Sequence, residues 1–316
     1  MKILVTGGLG FIGSYFVKYT LANRPDIKIM VLDNNASPKQ QMRLSSAHLE
    51  NPNCQLVVAD INGDLSEILE GIDIIFHFAA KTFVDHSVKY PHLHFWNNTN
   101  GTFNLLFNAR SYKPFLVQIS TDEVYGESED NIASSETFDL RPTNPYAASK
   151  AAADMMVMGM SKTYNISYLI TRCENNYGPF QHLQKVIPVY IKYALEDRPL
   201  PVYHPGTQSR CWLHVEDHCS AIWYLIDKGK RGVVNIGAGK ELPNIELAKM
   251  VLRILNKPVD NIMMIDTRDI RPYHDKAYRM DCSLLSGLGW MPRYDNFELG
   301  LRETVQWYVD NKRWLE

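Results

Sequence analysis

The chain opens with a short apolar run, Ile3-Leu4-Val5-Thr6, which breaks on Gly7-Gly8-Leu9-Gly10-Phe11-Ile12-Gly13 and then takes up helical periodicity. Little else in the sequence restricts the fold so strongly. An unbroken apolar run of this length, closed by a turn, reads as a strand buried on both faces, as in a parallel sheet covered by helices. The glycines stand where strand becomes helix. There they let the backbone approach a ligand closely, and the helix that follows directs free N–H groups and its positive dipole end at an anion.

The alternation continues down the chain. Residues 29–33, 55–58, 72–78, 115–120 and 166–172 repeat the buried-strand pattern, and 11–22, 99–110 and 145–164 carry helical periodicity. This βαβ order predicts an α/β fold, a doubly wound parallel (Rossmann) sheet that takes ligands at the carboxyl ends of its strands. After Asn176-Tyr177-Gly178-Pro179 the pattern changes. Pro188, Pro199, Pro201, Pro205, Pro258, Pro272 and Pro292 punctuate the remainder, and its strands are shorter. Two stretches, 212–225 and 233–236 before Gly237, return to the earlier pattern. The expected organisation is a cofactor domain over 1–177, rejoined by 211–240, and a smaller interleaved C-terminal α/β substrate domain from 178–210 and 241–316.

A length of 316 residues, 45% apolar and 22% charged, is ordinary for a globular protein with a substantial core. The net charge of −2 supplies no bulk attraction for nucleic acid or a membrane surface, so an anionic ligand needs a local cluster. The opening apolar run is too short for a signal peptide, and no stretch reaches the roughly 18 apolar residues of a membrane span. A cytoplasmic protein is expected. Cys54, Cys173, Cys211, Cys219 and Cys282 are scattered and odd in number, which predicts reduced thiols.

Asp33 ends the second strand, twenty residues beyond Gly13. A carboxylate there accepts from ribose hydroxyls and repels a 2′-phosphate, so the expected dinucleotide is NAD rather than NADP. Asp60-Ile61, at the end of the third strand, suit the adenine edge. The small Ala79-Ala80 pair after the fourth lets a cofactor pass closely. The fifth strand runs into Ser120-Thr121-Asp122-Glu123-Val124-Tyr125-Gly126, and Tyr146-x-x-x-Lys150 follows on one face of a helix that starts near Asn144-Pro145. A free tyrosine, with a pKa of about 10, is a poor base at neutral pH. A nearby ammonium should favour its phenolate and let Tyr146 accept an alcohol proton. One oxidation needs only that group. Two further carboxyls imply proton movement at a second carbon, and adjacent carboxyls in a low-dielectric pocket are pushed into different protonation states.

Together with Asn144-Pro145-Tyr146-Ala147-Ala148-Ser149-Lys150, Arg172-Cys173-Glu174-Asn175-Asn176-Tyr177-Gly178-Pro179, Trp212-Leu213-His214-Val215-Glu216-Asp217-His218 and Asn235-Ile236-Gly237, these features resemble the extended short-chain dehydrogenase/reductase family over essentially the whole chain. Within it the chain resembles the nucleotide-sugar 4,6-dehydratases. The resemblance implies a three-step cycle on an enzyme-held NAD. Tyr146, helped by Thr121, takes the proton of the sugar 4-hydroxyl as C4 is oxidised. Glu123 then removes the C5 proton while Asp122 protonates the departing C6 hydroxyl. Reduction at C6 and reprotonation at C5 give a 4-keto-6-deoxy sugar.

The same resemblance assigns the cofactor to Gly7, Gly10, Phe11, Ile12 and Gly13 at the turn, to Asp33, Asn34, Asp60 and Ile61 beside the adenosine, and to Phe78, Ala79, Ala80, Asn97, Ser120, Tyr146, Lys150 and Cys173 further along. It assigns the nucleotide-sugar substrate, dTDP- or UDP-linked, to Thr82, Thr121, Asn175, Lys185 and Val186, and to Pro201, Tyr203, Arg210, Asn235, Arg271 and His274. Two arginines suit a diphosphate, which calls for bidentate cationic donors; Tyr203 suits stacking on the base.

Some positions depart from the family pattern. Where it usually reads Ala-Ala-Glu-Ser-His-Val-Asp-Arg-Ser, this chain has Ala79-Ala80-Lys81-Thr82-Phe83-Val84-Asp85-His86-Ser87. Asn97 replaces a usual threonine, Glu174 a serine and Cys211 an aspartate, and Leu183-Gln184-Lys185 stands for Pro-Glu-Lys. The first stretch is expected near the sugar, which makes UDP-GlcNAc an alternative substrate. A 4-epimerase would share Tyr146, Lys150 and NAD but need neither carboxyl, and a decarboxylase making a UDP-pentose resembles Thr-Ser-Glu rather than Thr121-Asp122-Glu123. A non-catalytic NAD-binding subunit would not need the set at all. His214-x-x-x-His218 lacks the glutamate of a zinc-protease helix, so no metal is expected. Met155-Met156-Val157-Met158 reads as core, or, by the resemblance, as part of a helix-bundle homodimer contact.

Overall fold

The computed structural model describes residues 1–34, 40, 42–129, 132–268 and 271–316. Its centre is a seven-stranded sheet built from β1 (Lys2–Thr6), β2 (Lys28–Asp33), β3 (Cys54–Val58), β4 (Ile74–His77), β5 (Phe115–Thr121), β6 (Tyr168–Cys173) and, much later in the chain, β10 (Gly232–Ile236). The order across the sheet is β10-β6-β5-β4-β1-β2-β3, and every neighbouring pair is parallel. Strand order reverses on passing from β1 to β4. In a doubly wound sheet that reversal opens the crevice in which ligands sit.

Period-two alternation sends successive residues of each strand to opposite faces. Ile3 and Val5 join Phe16, Phe76 and Trp223 in a core under the helices Phe11–Asn23 and Val215–Asp227. Leu4 joins Ile75, Leu105, Leu116, Val157 and Ile170 under the helices Gly101–Ala109 and Pro145–Tyr164. Both faces are covered, which is why these strands read as unbroken apolar runs. The helix expected from residue 99 begins with a π-helical stretch, Phe95–Asn100, before it tightens at Gly101. There the buried Asn98 accepts the Lys81 N–H at 2.8 Å and donates to the Lys81 carbonyl at 3.0 Å and to Ser149 Oγ at 2.9 Å. A widened turn of this kind often marks a working part of a helix.

A third core lies outside the large sheet, where Tyr190, Ile191, Trp212, Leu247, Val251, Leu301 and Tyr308 pack between the helices Val186–Leu195, Asn244–Ile254 and Phe297–Asp310. Two small sheets border it. One pairs β7 (Asn175–Tyr177), β9 (Ser209–His214) and β11 (Glu241–Pro243); the other pairs β8 (Leu200–Tyr203) with β12 (Ile262–Ile265). The stretch 212–225 thus divides. Its strand part belongs to a small sheet and sends Trp212 into the third core, whereas its helical part packs on the Phe11–Asn23 helix.

Under the helix Pro145–Tyr164 runs a buried polar chain. Arg172 Nε donates to Asp154 Oδ2 at 3.0 Å, with both side chains almost wholly inaccessible. Its Nη1 donates to the Tyr125 hydroxyl at 2.9 Å, and that hydroxyl donates to Asn235 Oδ1 at 2.8 Å. His214 and His218 serve the fold: His214 Nδ1 accepts the Glu216 N–H at 3.3 Å, and His218 Nδ1 bonds Asn176 Oδ1 at 2.9 Å. Among the described residues no helix is long and apolar enough to cross a membrane, no group of three or more metal-ligating side chains is found, and all five cysteines are free.

Candidate active site

The glycine turn shows why its residues are glycines. Gly7 has φ +68, and a Cβ on it would lie 2.6 Å from the Ala79 N; a Cβ on Gly13 would lie 2.3 Å from the Gly7 carbonyl oxygen. Turn, helix and the segment after β4 are therefore in backbone contact. Gly10 caps the Phe11–Asn23 helix without a side-chain hydrogen bond, so Phe11 and Ile12 present the first helical N–H groups. Asp33, nearly buried at the end of β2, accepts the Leu9 N–H at 2.9 Å, and Asn34 beyond it is exposed.

The remaining cofactor candidates come to the same edge. Asp60 is exposed and accepts the Asn62 N–H, Ile61 is buried against Gly101, and Phe78, Ala79 and Ala80 are half-buried just past β4. Asn97 is half-buried on the π-helical stretch. Ser120 and Cys173 close the ends of β5 and β6, with Cys173 Sγ donating to the Ser120 carbonyl. A cradle with no room for a Cβ, uncapped helical N–H groups and a carboxylate at the neighbouring strand end fit a dinucleotide.

The candidate reacting groups cluster at the end of β5. Thr121 caps a 3₁₀ turn, Asp122–Tyr125, and the chain leaves it at Gly126, whose φ of +79 and want of space beside the Arg141 carbonyl admit only glycine. Asp122 is buried and the Thr121 hydroxyl donates to its Oδ1 at 3.0 Å; its Oδ2 has no partner among the described residues. Burial first, and then the charge of Glu123, hold this carboxyl well above the usual range. Such a shift favours the protonated, proton-donating form. Glu123 is half-exposed and aimed by two side chains, accepting from Asn144 Nδ2 at 3.0 Å and from the Tyr278 hydroxyl at 3.5 Å. The adjacent carboxyls thus occupy different environments.

Lys150 is buried and donates to the Ile119 carbonyl at 2.7 Å, and burial lowers its own pKa. Burial, followed by the charge on Glu123, holds Tyr146 well above its ordinary value, and a hydrogen bond with Thr121 works against them. The expected help of an ammonium to the phenolate is thus opposed by desolvation.

The substrate candidates form two groups and leave one outlier. In the first, Asp85 accepts from Arg271 Nε at 2.8 Å and from the Tyr203 hydroxyl at 3.4 Å; His274 meets Tyr203 edge-on at 6.0 Å; and Lys185 donates to the Thr82 carbonyl at 2.8 Å, next to Val186. Pro201 precedes Tyr203 on β8. In the second, Arg210 faces the Tyr278 ring at 4.5 Å, Tyr278 bonds Asp275, and Asn175 holds a buried Nδ2 without a partner among the described residues. Asn235 stands apart. Its side chain is fully buried and donates to the Ser134 and Asp281 carbonyls while accepting from Tyr125, so it is not offered to a substrate. Reading the sequence passed over Tyr278, Asp275 and the second task of Asn144. Only Asn144 carried a signal, as a cap residue directly before a proline.

A doubly wound sheet whose glycine turn, strand-end Thr-Asp-Glu and helical Tyr–Lys pair converge on one edge is the arrangement of the extended short-chain dehydrogenases/reductases. A family model described as GDP-mannose 4,6 dehydratase matches residues 4–304. The dTDP-glucose 4,6-dehydratase of Mycobacterium tuberculosis is 38% identical over 320 residues, which span 99% of this chain and 95% of the relative. The solved dTDP-glucose 4,6-dehydratase of Streptomyces venezuelae, with NAD and TYD bound, has a TM-score of 0.92 at 37% identity, with both chains fully covered. A UDP-N-acetylglucosamine 4-epimerase from Methanobrevibacter ruminantium is more distant, with a TM-score of 0.88 and 30% identity over 98% of each chain. The chain belongs to the nucleotide-sugar 4,6-dehydratase family.

Proposed function

We propose that the protein is an NAD-dependent dehydratase that converts a dTDP-linked hexose, of the dTDP-glucose kind, into the 4-keto-6-deoxy sugar. The observation that carries this reading is the pair at the end of β5, a buried Asp122 whose carboxyl is held above the usual range beside a Glu123 held by Asn144 and Tyr278. Elimination across C5 and C6 needs an acid and a base together, whereas epimerisation at C4 needs neither.

When bound, NAD would supply the hydride acceptor and donor. The residues named as cofactor candidates would hold it, with Asp33 at the ribose. Tyr146, against Thr121, receives the 4-hydroxyl proton. The C4 ketone acidifies C5, Glu123 takes that proton, and Asp122 gives its own to the C6 hydroxyl, which leaves as water. Glu123, half-exposed and in exchange with solvent, then delivers a solvent-derived proton to C5. Arg210 and Arg271 are assigned to the diphosphate, Lys185, Thr82, Val186 and Asn175 to its surroundings, and Tyr203, Pro201 and His274 to the base.

Residues 178–210 and 241–316 are read as the substrate-binding part. A homodimer is supported by the exposed Phe95, Trp96, Phe103, Phe107 and Met155 on neighbouring helices. A reducing, cytoplasmic setting is supported by the five free thiols.

Incubation in deuterated water with dTDP-glucose, UDP-glucose and UDP-GlcNAc in turn, followed by NMR, tests the reaction and the substrate. The expected product from dTDP-glucose carries a new C6 methyl and deuterium at C5. A product with the C6 hydroxyl intact and no label would overturn dehydration, and a methyl from another arm would reassign the hexose or the base.

A further inference from the structure

Arg43 lies in the connection after β2, yet it is almost fully buried, where arginine is ordinarily solvated. Its Nη1 donates to the Leu9 carbonyl at 3.2 Å, and its Nε to the Phe180 carbonyl at 3.0 Å. Its guanidinium faces the Trp314 ring at 5.2 Å. Leu9 is the middle of the glycine turn, and Asp33 already holds its N–H. Both polar groups of that residue are therefore pinned, the N–H by an accepting carboxylate and the carbonyl by a donating guanidinium.

The far side of the bridge is also constrained. Phe180 has φ +65, a left-handed conformation that a phenylalanine keeps only where its surroundings impose it. Its ring is enclosed by Lys18 Nζ at 3.6 Å, Trp307 at 4.4 Å and Trp314 at 5.3 Å. The Tyr308 hydroxyl and Trp314 Nε1 both donate to the carbonyl of Gln181, the next residue. The end of the chain thus presents the Phe180 carbonyl to Arg43, and Arg43 presses the glycine turn into shape.

We infer that Arg43 is a positioning residue for the dinucleotide, locking the Gly7–Gly13 turn in the form that meets a pyrophosphate and fastening it to Phe180 and Trp314. The reason retention matters rests on the dehydratase reading, since a sugar oxidised at C4 must be reduced at C6 by the same dinucleotide. Two bonds to main-chain carbonyls, and burial, distinguish Arg43 from an arginine that reads a ribose 2′-phosphate.

The test uses the full chain as wild type, Arg43→Met and Arg43→Lys. NAD carried through purification is measured after heat release. NAD and NADP affinities are measured by calorimetry on stripped protein, and melting of that stripped protein is followed separately. Arg43→Met is expected to lose co-purified NAD and to bind NAD about tenfold more weakly, the scale of a charged hydrogen bond. Its NADP affinity should fall in parallel and its stripped melting temperature stay near wild type. Arg43→Lys, which keeps the charge but reaches one carbonyl, should fall between and keeps the test open if the methionine variant does not fold. Unchanged NAD affinity would overturn the inference. So would weakening confined to NADP, which marks a phosphate reader, or a loss of NAD that only follows a fall in stripped stability. Failure of the dehydratase reading would appear separately, as wild type that holds NAD but forms no methyl product.

Discussion

Glu174 keeps a carboxyl in a place that is nearly dry, beside Asp122 and Cys211. It accepts from the Ala238 N–H at 2.9 Å and the Gly239 N–H at 3.1 Å, tying β6 to the loop after β10. Burial nevertheless pushes its pKa up to about 7. A carboxyl raised in the folded protein stays protonated there after it has ionised in the unfolded chain, so stability falls as pH rises from the ordinary carboxylate range to about 7. Glu174→Gln should remove that part of the pH dependence. Urea unfolding at pH 5 and pH 8 should show wild type losing more stability than the variant between the two, and an equal loss would mean the carboxyl is not raised. At this scale the reacting residues were legible because chain spacing links them: Thr121, Asp122 and Glu123 are consecutive, and Tyr146 and Lys150 share a helical face. Their supports were not. Tyr278 and Arg271 reach Glu123 and Asp85 across 155 and 186 residues, distances over which spacing carries no information.

At the scale of elements, the catalytic helix begins where Asn144 and Pro145 say it should. Asn144 Oδ1 accepts the Ala147 N–H at 2.9 Å, its Nδ2 holds Glu123, and Ser87 Oγ accepts the Tyr146 N–H at 3.1 Å. One side chain thus starts the helix and aims Glu123, the proposed C5 base. Asn144→Ala should lower stability by about 1 kcal/mol, the usual cost of a lost cap, and slow elimination. Asn144→Asp should keep the cap but repel Glu123, so stability is largely restored while turnover is not. Chemical denaturation and methyl-product formation measure the two effects, and full recovery of both in Asn144→Asp would refute the double role. Strands of the large sheet were readable because they are buried on both faces. The π-helical stretch was not, since its form is set by Asn98 reaching Lys81, and β9 was misplaced because pairing partners are chosen in space rather than along the chain.

For the whole molecule, the helical faces that carry Phe103 and Phe107 remain open to solvent, with their rings stacked at 5.7 Å. Large apolar surface of this kind marks an interaction site. Replacing both by glutamate should reduce the sedimenting species from two chains to one, as analytical ultracentrifugation would show; an unchanged mass, or a wild type that is already monomeric, would reject this interface. Most of the third core comes from residues beyond Pro179, where the sequence pattern changes, but the seat of Asn235 was not legible. Its motif gave no hint that Tyr125 would claim it. The chain Asp154–Arg172–Tyr125–Asn235 has a further consequence. A buried ion pair can be exchanged as a unit for well-packed apolar residues, but loss of one partner strands the other without water. Single steps away from this arrangement are steep, and the flat route runs only through joint replacement. Descendants of such a chain are free to drift where Lys81 and His86 are exposed, but beneath the Pro145–Tyr164 helix their ancestry is held in place.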